Sequence, residues 1–593
     1  MALNVEKSST KLRNLAESSR QEVLKRLPQD RMNRFILFVE VVRVIDYWGT
    51  LSRPSEKEKS SIHKLDLMYW GWNMAVAELF EPLEQKNSFP LMESTEKSRS
   101  FAAWILSEFG KISLLKRLAD MEIHGIAKVL WNDKSVHISM TDSTRAQFTD
   151  FLETELLENA EEMLKKQQST FDSEYVKSTK FVGRIFQEIS EENSFNDWKL
   201  ENLDHHIRSV VKPWMTGRGV MVGYDSTIEL DKHFAAEALK YTDRCSHDAG
   251  LHPKAKLGNF TGSEVISIVT ALVSFYMKHV ECVLIASHQF KNISIQQSLT
   301  IWTPREDLEK SVSDFTGLEK STVHSIFNII LLTSEKAKTF SNQSNPLIPL
   351  IFDLGNGLLL RPVSSLTRNP ITTVSNNFKL LDQKIEHSFA EHREDWMRSD
   401  LYDLFRGSRY KCVEGNIKLR INGKITTDID AVVYDTLTGD LGIFQLKWQD
   451  YQTNNVRQLH SKAKNLATEL TSWSEKVNEW IQINGIQILS KTLRLKTNSP
   501  LQPTKIYLFA LSKSIIRTEG YGVPGAIPNL AMGTWSQFVR ARIEIGPSES
   551  TLQMLHKKIF NEYTKNTPTT PLPTTISVGD ISLHIDNLWN QFG

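Results

Sequence analysis

The sequence predicts an α+β protein with several domains, in which a largely α-helical N-terminal half precedes a C-terminal core of helix, three strands, helix and strand. The chain has 593 residues, enough for about three or four domains of ordinary size. In the first 170 residues glycine is scarce and apolar residues recur at intervals of three and four, which predicts helices. Short apolar runs bounded by turn residues follow Tyr410 and predict strands.

The composition is that of a globular protein rather than a disordered or fibrous one. Hydrophobic residues make up 40% of the chain and charged residues 24%. The formal net charge is +1, so any surface that attracts nucleic acid must be local. Three cysteines without a CxxC pair exclude a disulfide framework and a cysteine-rich zinc site, and favour a reducing compartment. The first 20 residues show no secretory signal, so we expect a cytoplasmic location.

The most apolar run of the chain, Val265 to Met277, holds 13 uncharged residues. A helix needs about 18 or more apolar residues to cross a bilayer. We therefore expect a buried core helix at this position, and no membrane partner.

We expect three domains: helices over residues 1–170, a mixed α/β region over 171–374, and a third domain over 375–593. In the second domain, Asn356-Gly357 lies within the stretch Leu347–Pro362 and predicts a hairpin with a type I′ turn. The helical spacing of the first domain is clearest in two apolar sets, which are Phe35, Phe38, Val42 and Ile45, and then Leu152, Leu156, Met163 and Leu164.

The third domain carries the predicted elements of an αβββαβ core. In chain order these are a helix from Asp382 to Phe405, strands over Lys418–Ile421, Lys424–Tyr434 and Leu441–Trp448, a long helix over about 453–482, and a strand from Lys505 to Leu511. Asn422-Gly423 separates the first two strands and is a strong signal for a two-residue hairpin turn.

The register of the second and third strands follows from symmetry about the loop that joins them. If Asp435 faces Asp440, then Asp430 lies opposite Gln445 and Asp428 lies opposite Lys447. Because side chains alternate along a strand, these four polar side chains share one face. The other face is an apolar set: Ile429, Ala431, Val433, Phe444, Leu446 and Trp448.

Two interpretations fit this polar cluster. Cross-strand charge pairs are common on exposed sheets, so the cluster can be a surface of salt bridges. Val432 and Ile443 continue the same face with apolar side chains, however, and the cluster lies at one end of the hairpin, where a cleft can form. These two features favour a catalytic site.

Asp430, followed fifteen residues later by Gln445-Leu446-Lys447, resembles the motif of the PD-(D/E)xK nuclease superfamily in its Mrr-like Q-x-K variant. That family has a restriction-endonuclease-like αβββαβ core, and residues 380–515 give the same order of elements. The chain departs from the family pattern at two places. Ile429 stands where the family has proline, and glutamine replaces the second acid, which removes one negative charge from the cation site.

The resemblance implies hydrolysis of phosphodiester bonds, DNA foremost, with Mg²⁺ or Mn²⁺ as cofactor. It implies Asp430, Gln445 and the backbone carbonyl of Leu446 as metal ligands, since carboxylate and carbonyl oxygens suit hard cations. The metal lowers the pKa of a bound water, and Lys447 orients that water or stabilises the developing charge. Asp428, on the same face, can supply part of the missing charge.

The family also places a glutamate on the first helix of the core. Glu386, Glu391 and Glu394 are the candidates in this sequence. Glu394 shares a helical face with Met397 and Leu401, so we choose it, with Glu391 second. The alternative is a carboxylate on a solvated helix face.

The helix over about 453–482 carries an apolar seam of Val456, Leu459, Ala463, Leu466, Leu470, Trp473, Val477 and Trp480. We expect this seam to pack on the sheet; a dimerising coiled coil is the alternative. Arg457, His460 and Lys464 recur along one flank of the helix and can meet phosphates. Residues 401–510 hold 15 Lys and Arg against 10 Asp and Glu, an excess compatible with nucleic acid.

The leading hypothesis is a metal-dependent nuclease whose helical half senses, gates or recruits a partner protein or a second copy of the chain. A large region fused to a Q-x-K nuclease resembles prokaryotic antiviral defence and restriction proteins. One rival is a catalytically inactive nuclease fold that binds nucleic acid or acts as a scaffold. The other is a regulatory assembly protein that uses the 453–482 helix as its interface.

Overall fold

The computed structural model describes most of the chain. The described residues are 7–51, 64–83, 93–141, 201–216, 219–341, 343, 346–381, 385, 387–388, 392–413, 416–448, 455–493, 495, 503–546, 548, 550–563 and 573–586. The predicted helical set around Leu152 to Leu164 and the candidates Glu386 and Glu391 lie outside them.

The described α-helices, in chain order, are α1 (Ser8–Arg26), α2 (Arg31–Leu51), α3 (Lys64–Leu79), α4 (Glu96–Ile123), α5 (Leu203–Val210), α6 (Ile228–Ala249), α7 (Gly262–Gln289), α8 (Ile295–Ser298), α9 (Arg305–Thr316), α10 (Lys320–Ile330), α11 (Ser334–Phe340), α12 (Pro370–Leu381), α13 (Arg393–Asp403), α14 (Val456–Thr492), α15 (Trp535–Ile545) and α16 (Thr551–Tyr563). Two short 3₁₀ helices cover Val363–Thr367 and Thr518–Tyr521.

The described strands are β1 (Ala127–Asn132), β2 (Ser135–Met140), β3 (Val211–Met215), β4 (Val220–Tyr224), β5 (Lys256–Leu257), β6 (Phe260–Thr261), β7 (Ile301–Pro304), β8 (Phe352–Asp353), β9 (Leu358–Arg361), β10 (Tyr410–Cys412), β11 (Ile417–Ile421), β12 (Lys424–Ile429), β13 (Ala431–Asp435), β14 (Asp440–Lys447), β15 (Lys505–Ser512), β16 (Leu530–Thr534), β17 (Thr574–Val578) and β18 (Ile581–Ile585). The protein is therefore mixed α and β, as the sequence predicts at this coarse level.

The chain forms two compact units, and each is discontinuous in sequence. Unit 1 consists of residues 1–10, 117–172 and 391–592, and unit 2 of residues 11–116 and 173–390 together with Gly593. These divisions differ from the expected domains at 1–170, 171–374 and 375–593. The difference arises because β1 and β2, within the stretch expected to be helical, form a four-stranded sheet in the order β1-β2-β18-β17.

A five-stranded sheet in the order β10-β13-β14-β15-β16 forms the centre of unit 1. The β10, β13 and β14 strands are antiparallel neighbours, whereas β14, β15 and β16 run parallel. All eight residues of β14 are buried or partly buried, as is typical of a strand covered by helices on both faces.

Helices cover both faces of this sheet. On one face, Ala431, Val433, Phe444 and Leu446 pack against residues of α13, α15 and α16. On the other face, Val432 and Ile443 pack against α14. Ile429 lies in this second cluster, so its predicted place beside Ala431 and Val433 is wrong, because the backbone bends at Asp430.

The α14 helix confirms the predicted seam. All eight seam residues, Val456, Leu459, Ala463, Leu466, Leu470, Trp473, Val477 and Trp480, are buried. Seven of them, all but Val456, pack within unit 1 against the sheet or against residues 515–523. The seam is therefore covered by the chain's own core, as expected. Because its residues are already buried, they do not form an exposed face for a dimerising coiled coil.

The β11–β12 hairpin follows the turn chemistry that the sequence predicts. Asn422 and Gly423 have φ values of 50° and 77°, as a type I′ turn requires, and Ile421 pairs with Lys424. The predicted hairpin before Pro362 is also present as β8 and β9. Its loop is longer, however, and the positive φ values fall on Gly355 and Gly357, so the type I′ turn at Asn356-Gly357 is wrong.

Within the helix predicted from Asp382 to Phe405, the described residues 385, 387 and 388 are helical, residue 392 lies in a turn, and α13 runs from Arg393 to Asp403. Its inner face is the predicted stripe, with Met397 and Leu401 buried in the sheet core.

Unit 2 is built around α7, which contains the predicted apolar run. By length and composition α7 could cross a membrane, but 72% of its most apolar window is buried within the fold. A capping box between Thr261 and Glu264 starts the helix, and this satisfies backbone donors that the first turn leaves unpaired. The prediction of a core helix is confirmed, and α7 has the burial expected in a soluble protein.

Candidate active site

The candidate site forms where β12 ends and β13 begins. The observed pairs Ala431 with Phe444 and Tyr434 with Leu441 give the register predicted from the loop symmetry. The backbone bends at Asp430, whose N–H still donates to Phe444 O at 3.2 Å. The bend ends the β13 ladder at Asp430, opposite Gln445.

The Asp430 side chain takes the place of the next main-chain acceptor in the ladder. Its Oδ2 accepts a hydrogen bond from the backbone N–H of Leu446 at 2.7 Å and another from the side-chain amide of Gln445. The residue is 1% exposed. Asp430 and Gln445 are therefore in direct contact, as predicted.

The Asp430 carboxyl group has a strongly perturbed pKa. Burial raises this pKa to about 7, the hydrogen bond from Leu446 and the charge of Lys447 lower it, and Glu394 and Asp428 raise it. At neutral pH the carboxyl group is divided between its protonated and ionised forms. A cation bound beside it would favour the ionised form.

The Gln445 side chain has one buried hydrogen-bond acceptor that is not used by the described residues. Its Nε2 donates to Asp430, whereas its Oε1 is buried and has no hydrogen-bond partner among the described residues. An unpartnered buried carbonyl oxygen is uncommon and calls for a partner. A hard cation is one such partner, since Mg²⁺ and Ca²⁺ bind amide oxygens.

The Leu446 carbonyl completes this donor set. Alternate residues of a strand point their backbone groups to the same side, so the carbonyls of Phe444 and Leu446 both face β13. Phe444 O is taken by Asp430 N–H, but β13 has ended opposite Leu446. Asp430, Gln445 and Leu446 O thus fit a hard cation that keeps several waters.

Lys447 lies at the end of β14 and is paired across to α14. Its Nζ lies 3.1 Å from Glu469 Oε2, and its side chain is 24% exposed. Its charge also acts on Asp430. Sequence reasoning missed Glu469, which lies next to Leu470 of the seam, because facing charges between a helix and a strand leave no local pattern.

Asp428 does not lie opposite Lys447, so that part of the predicted register is wrong. It pairs with Lys418 of β11, and its carboxylate accepts from Asn416 Nδ2 at 3.4 Å. The cause is the bend at Asp430, which takes β12 away from β14. Asp428 still contributes a negative charge that raises the pKa of Asp430.

Glu394 occupies the first turn of α13 and is exposed. Its charge raises the pKa of Asp430, but its exposure is that of a carboxylate on a solvated helix face, so the choice of this residue stays a prediction. One turn later Arg398, which sequence reasoning missed, is buried and donates from Nε to Asp430 O. Its Nη1 donates to Asp395 at 2.6 Å. Its spacing of four from Glu394 was a usable signal.

The three residues predicted to contact phosphates differ in their surroundings. Lys464 is exposed on α14. Arg457 pairs with Asp120 at 3.1 Å, with 55% of its side chain exposed. His460 stacks on His124 with ring centroids 4.3 Å apart, and its Nδ1 lies 2.7 Å from Tyr521 O. Those contacts hold His460 inside unit 1, which makes it the least available of the three.

No group of three or more His, Cys, Asp or Glu side chains is arranged to hold a metal ion in the described part of the chain. The candidate cation site instead uses one carboxylate, one amide and one backbone carbonyl. The chain matches no protein-family model, no curated protein and no solved structure. The resemblance to the nuclease superfamily therefore stays a prediction that depends on the motif and the order of elements.

Proposed function

We propose that the protein is a metal-dependent nuclease that hydrolyses phosphodiester bonds, with DNA as the leading substrate. The observation that carries this proposal is the convergence of Asp430, Gln445 and Lys447 where β13 stops pairing with β14. The unpartnered Gln445 Oε1 beside a buried carboxylate supports a cation at this point.

The order of elements in unit 1 supports the same proposal. The α13 helix is followed by β10, β13 and β14, then by α14 and β15, with the β11–β12 hairpin inserted after β10. This is the αβββαβ order of the restriction-endonuclease-like core. The place of the protein in prokaryotic defence or restriction, and its cytoplasmic location, belong to the same proposal and depend on the resemblance.

Each residue has a distinct part in the proposed reaction. Asp430, Gln445 and the Leu446 carbonyl would hold the cation. When bound, the cation supplies Lewis-acid chemistry: it neutralises charge on the scissile phosphate and lowers the pKa of a coordinated water. Lys447 places a positive charge at the partly buried end of β14, where it would orient the attacking water or stabilise the developing negative charge. Glu394 adds a carboxylate from the helix side.

The test is cleavage of supercoiled plasmid and of single-stranded DNA in Mg²⁺ or Mn²⁺, with EDTA controls. We expect the parent protein to cleave and EDTA to abolish cleavage. Lys447→Ala and Asp430→Asn should each lose on the order of 100-fold or more in rate.

Lys505→Ala is the matched control. Lys505 pairs with Asp440 at the opposite end of the β14–β15 ladder, roughly 23 Å from Lys447 at ~3.3 Å per residue. Its loss should leave cleavage unchanged. Cleavage that survives both site variants would place the activity elsewhere, or in a contaminant.

An inactive nuclease fold that binds nucleic acid or acts as a scaffold is the second candidate function. Two contacts favour it: the Gln445 amide already donates to Asp430, and Lys447 already pairs with Glu469. If this alternative holds, Mg²⁺ titration should give the same result for the parent and for Asp430→Ala, because no cation binds at Asp430. DNA binding would then persist without cleavage.

A further inference from the structure

Arg361, the last residue of β9 in unit 2, is a buried cation without a carboxylate partner in the described part of the chain. The residue is 7% exposed. Its Nε is buried with no hydrogen-bond partner, and its guanidinium enters no ion pair among the described residues. Leaving a buried charge uncompensated is strongly destabilising. A residue kept in this state needs an explanation outside the fold's own stability.

The groups around Arg361 are aromatic and neutral. Its guanidinium carbon lies 5.4 Å from the ring centroid of Tyr276. Burial lowers the pKa of the guanidinium, and the groups that oppose this are Tyr276 and Tyr224 rather than a carboxylate. A cation–π contact compensates a buried charge only in part.

His279 is a further neutral group beside Arg361. Its Nε2 lies 2.7 Å from Ser298 O, which can only accept, so Nε2 carries the proton and Nδ1 accepts from the Tyr224 hydroxyl at 3.1 Å. Burial lowers the His279 pKa to about 4, and Arg361 lowers it further. The histidine is therefore neutral and supplies no counter-charge.

Two carboxylates whose charges act on the tyrosines of this cluster, Asp46 on Tyr276 and Asp231 on Tyr224, already have partners. Asp46 accepts from Ser364 N at 2.9 Å and from Thr300 Oγ1 at 2.6 Å. Asp231 pairs with Lys278. Neither is among the groups that raise the Arg361 pKa.

Unused donors lie on the adjoining segment. Gln297 Nε2 and Ser298 Oγ are buried without hydrogen-bond partners among the described residues, and the two residues are 4% and 1% exposed. Ser298 is joined to the cluster through its carbonyl and His279. The next strand, β7, pairs its first residue Ile301 with Arg361. A buried guanidinium and two unsatisfied donors therefore belong to one neighbourhood.

We propose that Arg361, with Ser298 and Gln297, forms a binding site for an oxyanion, specifically a phosphate group, within unit 2. The planar guanidinium fork matches two phosphate oxygens, and the hydroxyl and amide donors suit the remaining oxygens. The bound anion would supply the negative charge that compensates the Arg361 guanidinium. Free phosphate and the phosphate of a nucleotide share this chemistry.

The test uses the full chain, with inorganic phosphate and AMP as separate probes and chloride at matched ionic strength as the reference. Binding is measured by titration calorimetry, and stability by thermal unfolding. Phosphate should raise the unfolding temperature by a few degrees above the chloride reference, because a ligand that binds the folded state alone stabilises it. Stronger stabilisation by AMP than by phosphate assigns the site to a nucleotide, whereas equal stabilisation assigns it to free phosphate.

Arg361→Met distinguishes a binding residue from a structural one. Because the charge is uncompensated, this variant should unfold at a higher temperature than the parent in phosphate-free buffer, and its phosphate affinity should fall at least tenfold. Ser298→Ala removes an unpartnered hydroxyl, so it should fold normally and bind phosphate several-fold more weakly. Arg305→Met is the matched control. That arginine pairs with Glu309 at 2.7 Å, and its loss should lower stability and spare phosphate binding.

Three results would overturn the proposal. The first is that neither probe binds or stabilises beyond chloride. The second is that phosphate binds equally well to the parent, Arg361→Met and Ser298→Ala. The third is that Arg361→Met unfolds at a lower temperature than the parent while Ser298→Ala keeps full phosphate affinity.

Discussion

Asp430 combines two requirements that conflict in a cation-free protein. A cation site needs an ionised carboxylate, but burial raises the pKa of this one to about 7. The protein offers two partial compensations, the Leu446 N–H and the Gln445 amide, both on Oδ2. On the proposed function, a cation would supply the remaining compensation.

Asp430→Asn should therefore stabilise the cation-free protein while removing cleavage. An asparagine can accept from Leu446 N–H and donate to Gln445 Oε1, which has no partner in the described structure, and it carries no buried charge. At pH 8 in EDTA we expect a gain of about 1–3 kcal/mol in the free energy of unfolding, measured by urea denaturation. A loss of stability would mean that the carboxylate is already well compensated without a cation.

At the scale of elements, signals within one hairpin or one helix could be read from the sequence. The Asn422-Gly423 turn, the seam of α14 and the β13–β14 register depend on local chemistry, and all are observed. The bend at Asp430 could not be read, because Ile429, Asp430 and Ala431 alternate as in a continuous strand. A side-chain oxygen replaces a main-chain acceptor there, which alternation does not reveal.

Two tryptophans attach α14 to the β11–β12 hairpin, and they provide a matched pair of variants. Trp473 Nε1 donates to Asp428 O at 2.8 Å, and Trp480 Nε1 donates to Arg420 O at 2.9 Å. Replacing either by phenylalanine leaves a carbonyl without its donor and should cost about 1–3 kcal/mol, measured by denaturant unfolding.

Only Trp473→Phe should also slow DNA cleavage, because Asp428 lies two residues from Asp430 whereas Arg420 lies near the hairpin turn. Equal rates for the two variants would show that the position of β12 does not matter to the site.

At the scale of the whole molecule, the arrangement that sequence reasoning could not find is the sheet of β1, β2, β17 and β18. Leu583 pairs with Val136 in parallel, and no local pattern links strands that lie more than 400 residues apart in the chain. The same limit explains why the expected domain boundaries differ from the observed units. They assume contiguous segments, whereas both observed units are assembled from separated ones.

The stability of unit 2 should depend on pH through two buried groups that act in opposite directions. The folded pKa of His279 is about 4, below its ordinary 6.5, so its contribution is full above pH 6.5 and is lost as the pH falls towards 4. Asp46 has a raised folded pKa of about 6, so its contribution grows as the pH falls from 6 towards 3.8.

His279→Gln isolates the first effect, since Asp46 is present in both proteins. Between pH 6.5 and pH 4 the parent should lose up to about 3 kcal/mol of unfolding free energy relative to the variant. Urea denaturation at a series of pH values measures this difference. Parallel curves for the two proteins would show that folding does not shift the pKa of this histidine.

The sequence positions of the two units also determine which unit can fold first while the chain is being synthesised. Every segment of unit 2 except Gly593 has been synthesised by residue 390, whereas the four-stranded sheet of unit 1 cannot form until β18, which ends at Ile585, has been made. The unit that carries Arg361 can therefore fold first. The unit that carries Asp430 follows, so a nascent chain holds its phosphate-binding candidate before its candidate for cutting DNA is assembled.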